Sequence, residues 1–265
     1  MRESCFMTIR RAASILLLAL VFAGCTAART EIRPAHIPAQ ITDERPMHIA
    51  SEFEDDEKII GANDPWEEFN LEMYRFNFNF DKYIYLPVVS GYEFITPVAV
   101  QKSITNFFEN VGEVRNLYNS IFQLNGKKSA ITLGRFVANT TIGIGGLFDP
   151  ATSLGLKKQN EDFGQTLGFW GLGPGPYLVV PVLGPNTVRS TGGFAFDAGI
   201  RYALISAPVE NNAANGTWIT YGVNAVEAVD ARHKIAFRYF ESGYPFEYYI
   251  VRFLYLKYSD FQQMK

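Results

Sequence analysis

Residues 163–185 read FGQTLGFWGLGPGPYLVVPVLGP, and the way this stretch is housed decides the fold. It carries no charged side chain, and Gly168, Gly171, Gly173, Pro174, Gly175, Pro176, Pro181, Gly184 and Pro185 interrupt every run in which a regular helix would settle. Phe169, Trp170, Leu172, Tyr177, Leu178, Val179, Val180, Val182 and Leu183 make it too apolar for a solvated loop. It is therefore expected to be covered, either as a buried turn between two helices or as a hairpin facing a membrane.

Charge is divided unevenly along the chain. Residues 1–25 sum to +2, residues 26–62 to −4 and residues 63–265 to −1, within a total of −3. A near-neutral body with no basic stripe argues against nucleic acid as a partner. The 22 Phe, 14 Tyr and 3 Trp are a heavy aromatic load, which fits a core or a water–bilayer interface.

Arg2, Arg10 and Arg11 precede an apolar run over 12–23, long enough for a signal peptide and too short to span a bilayer. It ends Phe22-Ala23-Gly24-Cys25, small residues before a cysteine, which resembles a bacterial lipoprotein cleavage site; the alternative is ordinary signal cleavage with Cys25 incidental. Cys5 is lost with the signal, which leaves Cys25 without an internal disulfide partner and favours lipid attachment there. Several acyl chains anchor stably where one is marginal. Thr26 after the cysteine permits sorting to the outer membrane. The expected division is a signal over 1–24, a lipidated Cys25 with a disordered, Pro-containing acidic tether over 25–62, and a folded domain over 63–265.

That domain is expected to be all-α. Asp64-Pro65-Trp66-Glu67 has the form of a helix start with Asp64 as the N-cap, followed by a stripe of Trp66, Phe69, Met73, Phe76 and Phe80. Asn70 and Asn77, seven apart, share a neighbouring face with Tyr74 and Phe78. Thr96-Pro97 opens a second stripe closed by Gly112, Val114 to Phe122 forms a third ended by Asn125-Gly126, and a fourth runs over 129–139 into a glycine turn at Gly143, Gly145 and Gly146. A long helix is expected over 217–241, stopped by Gly243. Pro245 begins a last helix, apolar nearly all round, suited to a core or to lipid. No segment reaches the length of a spanning helix.

The body offers little reactive chemistry. It has one histidine, His233, and no cysteine, which leaves no nucleophilic triad and no His-rich metal cluster. Asn125-Gly126-Lys127-Lys128-Ser129 lacks the adjacency of a phosphate loop, and the Gly171 to Pro176 run is not a dinucleotide fingerprint. Glu161 and Asp162 fit a helix start better than acid–base work. No catalytic residue, metal or cofactor is expected. A membrane-held chain of this kind is better suited to moving apolar material than to reacting with it.

DPWEEFNLEMYRFNFNFD (64–81), NFFENVGEVRNLYN (106–119), RFVANTTIGIGGLFDPA (135–151) and EDFGQTLGFWGLGPGPYLVVPVLGP (161–185) together resemble the MlaA (VacJ) lipoproteins over about 63–197. Where that family usually shows Arg-Asp, this chain has Arg189-Ser190. The resemblance implies a ring-shaped helical body in the inner leaflet of the outer membrane, with an amphipathic channel. It implies removal of phospholipid mislocalised to the outer leaflet, delivery to a periplasmic lipid carrier protein, and association with a trimeric outer-membrane porin. A structural porin-associated lipoprotein and a membrane-lipid hydrolase are the alternatives. Trp170, Tyr177, Leu178, Val180 and Leu183 are then expected to face the bilayer or the porin. Asn70, Asn77, Arg135 and Asn139 are candidates for the lipid pathway, since a greasy wall needs a few donors for a headgroup. Their alternative role is to cap helices or brace the glycine turn.

Overall fold

The computed structural model describes residues 64–241 and 246–263, so the signal, Cys25 and the tether lie outside the described residues. Within them the chain is helical apart from one short hairpin, as expected. The first helix, α1 (Glu67–Phe80), passes through a five-residue π turn (Asp81–Tyr85) into α2 (Leu86–Ile95). Next come α3 (Val98–Phe122), α4 (Gly126–Thr141), the single turn α5 (Pro150–Ser153) and α6 (Phe163–Phe169). Strands β1 (Tyr177–Val180) and β2 (Gly184–Thr187) are followed by α7 (Val188–Arg201), a second π turn (Tyr202–Ser206), α8 (Ala207–Asn212), α9 (Gly216–His233) and α10 (Glu247–Gln263).

Several boundaries differ from the sequence expectation, each for a local reason. Asp64 does not cap α1, whose N-cap is Trp66. Its carboxylate instead accepts from Asn70 Nδ2 at 2.7 Å, from Arg252 Nη1 at 3.0 Å and from the Tyr248 hydroxyl, tying the first helix to the last. Gly112 does not close a helix, and α3 runs through it for 25 residues. The helix begun near Thr217 ends at His233, because Arg232 turns its donors onto Asp81, at 2.5 and 2.7 Å, and onto the carbonyls of Ile235 and Phe237. Helices α2 and α8 carry Pro87 and Pro208, a residue type that ordinarily breaks a helix. Each proline lies two residues after a π turn, and the widened turn removes the clash a proline ring makes with the carbonyl four residues back.

α3 packs on α4, α6 on α7, and α8 on α9, while α1 lies along β1 and α10 reaches α6 and β2. The buried cluster of Tyr74, Phe78, Tyr177, Val179, Phe240 and Tyr248 sits where α1, the hairpin and α10 meet. Its rings contact edge to face, Tyr74 with Phe240 at 5.5 Å and with Tyr248 at 5.7 Å between centroids. Among the described residues no single helix is long and apolar enough to cross a membrane; α1–α2 and α3 form one pair that passes together, bent by 120°.

Candidate functional site

The 163–185 stretch is not free of helix as expected: Phe163–Phe169 forms α6, since its first proline comes only at Pro174, and the remainder leads into an antiparallel hairpin with Tyr177 opposite Thr187 and Val180 opposite Gly184. β2 covers one edge of β1, and two asparagines of α1 cover the other. Asn70 Oδ1 accepts from Val179 N at 2.7 Å and its Nδ2 donates to Tyr177 O at 3.1 Å. Asn77 Oδ1 accepts from Val182 N at 2.6 Å and its Nδ2 donates to Val180 O at 3.0 Å. The fit is metrical: seven helical residues rise about 10.5 Å, and three strand residues advance about 10 Å. Each primary amide thus stands in for a strand residue along an edge that would otherwise be unpaired.

Asn70 and Asn77 are 0% and 2% exposed, and their polar atoms are held by the hairpin backbone and, for Asn70, by Asp64 as well. Asn70→Ala would strand Tyr177 O and Val179 N in a buried place, a cost of about 2 kcal/mol. Thermal denaturation is expected to show a melting temperature lower by about 4–8 °C. A side chain that merely lined a passage would leave the melting temperature near wild type.

Arg135 and Asn139, both on α4, are held by groups of α3, α5 and the segments flanking α5. Arg135, 2% exposed, donates from Nε to Glu113 at 2.6 Å, from Nη1 to Thr152 Oγ1 at 3.1 Å and Leu156 O at 2.6 Å, and from Nη2 to Asp149 at 3.2 Å. Asn139 Oδ1 accepts from Ala151 N at 3.0 Å, and its carbonyl accepts from Gly146 N at 2.8 Å, which closes the glycine turn. Gly146 has φ of 92°, and a Cβ there would meet Asn110 at 2.7 Å. Burial by itself would raise the Asp149 pKa, but the Thr152 hydroxyl and N–H, with Asn139 and Arg135, hold it below the ordinary 3.8.

The outward hairpin residues separate by strand alternation. Tyr177 corrects the expectation: it is 1% exposed, packed against Tyr248 and Tyr255, because it shares the inner face of β1 with Val179. Leu178 and Val180, on the other face, are half-buried. Trp170 and Leu183 are exposed, as are Leu172 and Val182.

A cavity of about 320 Å³ opens between α3, α7, the second π turn and α9. Phe108, Val111, Leu204 and Ile205 supply an apolar wall, and Glu109, Arg115, Lys158, Asp230 and Lys234 bring charge to it. Gly112 faces the same space, and no atom lies within 4 Å of where its Cβ would stand. None of these polar residues was singled out by the sequence. They come from distant segments, and the one local signal was the three-residue spacing of Glu109, Gly112 and Arg115 along α3. The pathway candidates Asn70, Arg135 and Asn139 are not among the cavity's lining, and Asn77 lines a separate, largely apolar cavity of about 430 Å³ between the hairpin and α10. His233 pairs with Glu93 at 2.6 Å, and Asp162 caps α6 as expected.

A family model described as "MlaA lipoprotein" matches residues 62–262, well past the point where the motifs fade. An uncharacterized protein of Rickettsia prowazekii is 40% identical over 126 residues, 48% of this chain and 50% of that protein, so the chain spans about half the length of this relative. The Haemophilus influenzae protein named intermembrane phospholipid transport system lipoprotein MlaA is 31% identical over 179 residues, 66% of this chain and 69% of that one. A solved structure described as "Structural basis for maintenance of bacterial outer membrane lipid asymmetry" aligns with a TM-score of 0.60 and 29% identity, over 76% of this chain and 99% of its own.

Proposed function

This chain belongs to the MlaA lipoprotein family, and from that premise we propose that it is a non-enzymatic phospholipid conduit of the outer membrane. Lipid mislocalised to the outer leaflet enters the helical ring and leaves to a periplasmic carrier. Cys25 carries the acyl anchor, and the body lies in the inner leaflet beside a trimeric porin. The names of the relatives, which concern phospholipid transport and outer-membrane lipid asymmetry, support this reading.

The observation that carries it is the cavity between α3, α7 and α9, in which an apolar wall and charged side chains meet as they must to admit an amphiphile. Placement in one leaflet is supported by the 120° bend between α2 and α3, where Phe94, Ile95 and Val98 are 78%, 73% and 62% exposed. Trp170, Leu178, Val180 and Leu183 form the hairpin's bilayer- or porin-facing side. We assign Asn70, Asn77, Arg135 and Asn139 to bracing the walls, since their polar atoms are held by protein groups.

Gly112 supplies the test. A glycine inside a 25-residue helix weakens it by about 0.5–1 kcal/mol relative to alanine, and here it leaves space open. Gly112→Ala is expected to fold at least as stably as wild type and to co-purify with phospholipid measured by mass spectrometry of extracts. Gly112→Phe, pointing into the same opening, is expected to fold and to lose most of that lipid. Undiminished lipid in folded Gly112→Phe protein would remove the cavity from the pathway.

A further inference from the structure

We propose that the cavity between α3, α7 and α9 is a docking station for a zwitterionic phospholipid headgroup, the phosphate held by Arg115 and the amine by the carboxylates of Glu109 and Asp230. This rests on the conduit reading and names the lipid class it favours.

The charges around the cavity form a partly closed chain. Lys158 Nζ lies 3.0 Å from Glu109 Oε1, and Lys234 Nζ lies 3.7 Å from the same oxygen and 3.1 Å from Asp230 Oδ2. The Asp230 side chain is 1% exposed. One oxygen accepts from the Thr105 hydroxyl at 2.5 Å; the other has the Lys234 ammonium at ion-pair distance but no hydrogen bond of proper geometry. A buried carboxylate oxygen without a hydrogen bond is costly, and a headgroup amine that displaces the Lys234 ammonium from it would supply one.

On the same wall Arg115 is exposed and makes no ion pair among the described residues. The remaining charged groups are engaged elsewhere: Arg201 pairs with Glu227, and Asp197 accepts from Tyr118, Asn119 and the Phe163 N–H. A cation fork suited to phosphate and an acceptor suited to ammonium are therefore both on offer in one cavity. A cavity of a single positive sign would favour an anionic headgroup; this one matches a headgroup with both charges. The adjoining Phe108, Val111, Leu204 and Ile205 suit the first carbons of the acyl chains.

The experiment incubates the detergent-purified full chain with vesicles of equal phosphatidylethanolamine and phosphatidylglycerol, repurifies it, and quantifies bound lipid by mass spectrometry. Wild type is expected to hold the ethanolamine lipid in about threefold excess, the scale of a partly exposed charge interaction. Glu109→Gln removes one of the two carboxylates and releases Lys158, while Lys234 keeps Asp230, and the ratio should fall to parity or invert toward phosphatidylglycerol. Arg115→Gln should lower the loading of both lipids with an unchanged melting temperature. Equal loading by wild type, or a ratio that Glu109→Gln leaves in place, overturns the proposal while leaving the conduit intact. Recovery of no lipid at all overturns the conduit and this proposal with it. A parallel arm with millimolar inorganic phosphate alone separates the sources: Arg115-dependent stabilisation by phosphate together with displacement of lipid assigns the site to a free anion and also overturns it.

Discussion

Arg135→Ala is expected to lower the melting temperature of the body by about 6–20 °C. The cause is the carboxylate left behind. Glu113 is 0% exposed, and its Oε1 takes the Arg135 Nε–H at 2.6 Å; without that cation it is a buried charge with only the Asn116 amide, at 3.2 Å, for company. Removing one partner of such a pair costs about 3–5 kcal/mol, against a total stability of about 5–15 kcal/mol for a typical domain. Arg135 also holds Thr152, Asp149 and the Leu156 carbonyl, so α3, α4, α5 and the following loop loosen together. Arg135→Lys keeps the charge but cannot reach four acceptors, and should fall between wild type and alanine. The double variant Arg135→Met with Glu113→Gln removes both charges and should recover much of the loss. Calorimetry of the four proteins decides the matter: Arg135→Ala melting within 2 °C of wild type, or a double variant no better than the single, would falsify the buried-charge account.

How much of this was legible in the sequence depends on how local each cause is. The cap at Asp162 was readable because the acceptor and its N–H donor lie three residues apart, whereas Asn125, with the same spacing, reads as the end of the helix before it and in fact caps α4, which begins at Gly126 rather than 129. The end of α9 was not, since it depends on Asp81, 151 residues away from Arg232. The seven-residue spacing of Asn70 and Asn77 was plain, yet its meaning was not. Two amides on one helix face fit a headgroup passage as well as a brace, until a strand more than 100 residues away is known to run alongside. Gly112 misled for a related reason: glycine at the end of an apolar stripe signals a stop, but here it is kept inside a continuous helix that borders a cavity. The charged residues of that cavity lie on α3, α7, the end of α9 and the loop before α6, and no spacing rule joins those segments.

Gly193→Ala is expected to cost about 3 kcal/mol or more, and its neighbour Gly192→Ala to cost nothing. Both glycines lie in α7, yet their surroundings are opposite. A Cβ on Gly193 would stand 2.2 Å from Gly164 N and 2.6 Å from Gly164 Cα, whereas one on Gly192 meets no atom within 4 Å. At Gly164 and Gly193 the backbones of α6 and α7 touch, with Phe163 stacked on Phe196 at 3.8 Å just beside them. These two helices are the neck of the hairpin, because the chain leaves α6 at Phe169 and returns into α7 at Val188. A methyl group in the neck must push one backbone away, since no flexible side chain is there to yield. That displacement cannot be passed along the hairpin, whose β1 strand is pinned to α1 by Asn70 and Asn77. A melting temperature lower by about 6–12 °C follows for Gly193→Ala, while Gly192→Ala, which trades glycine for a better helix former on an open surface, should rise by about 1–3 °C. If both variants move in the same direction, backbone contact at the neck is not what holds the hairpin in place.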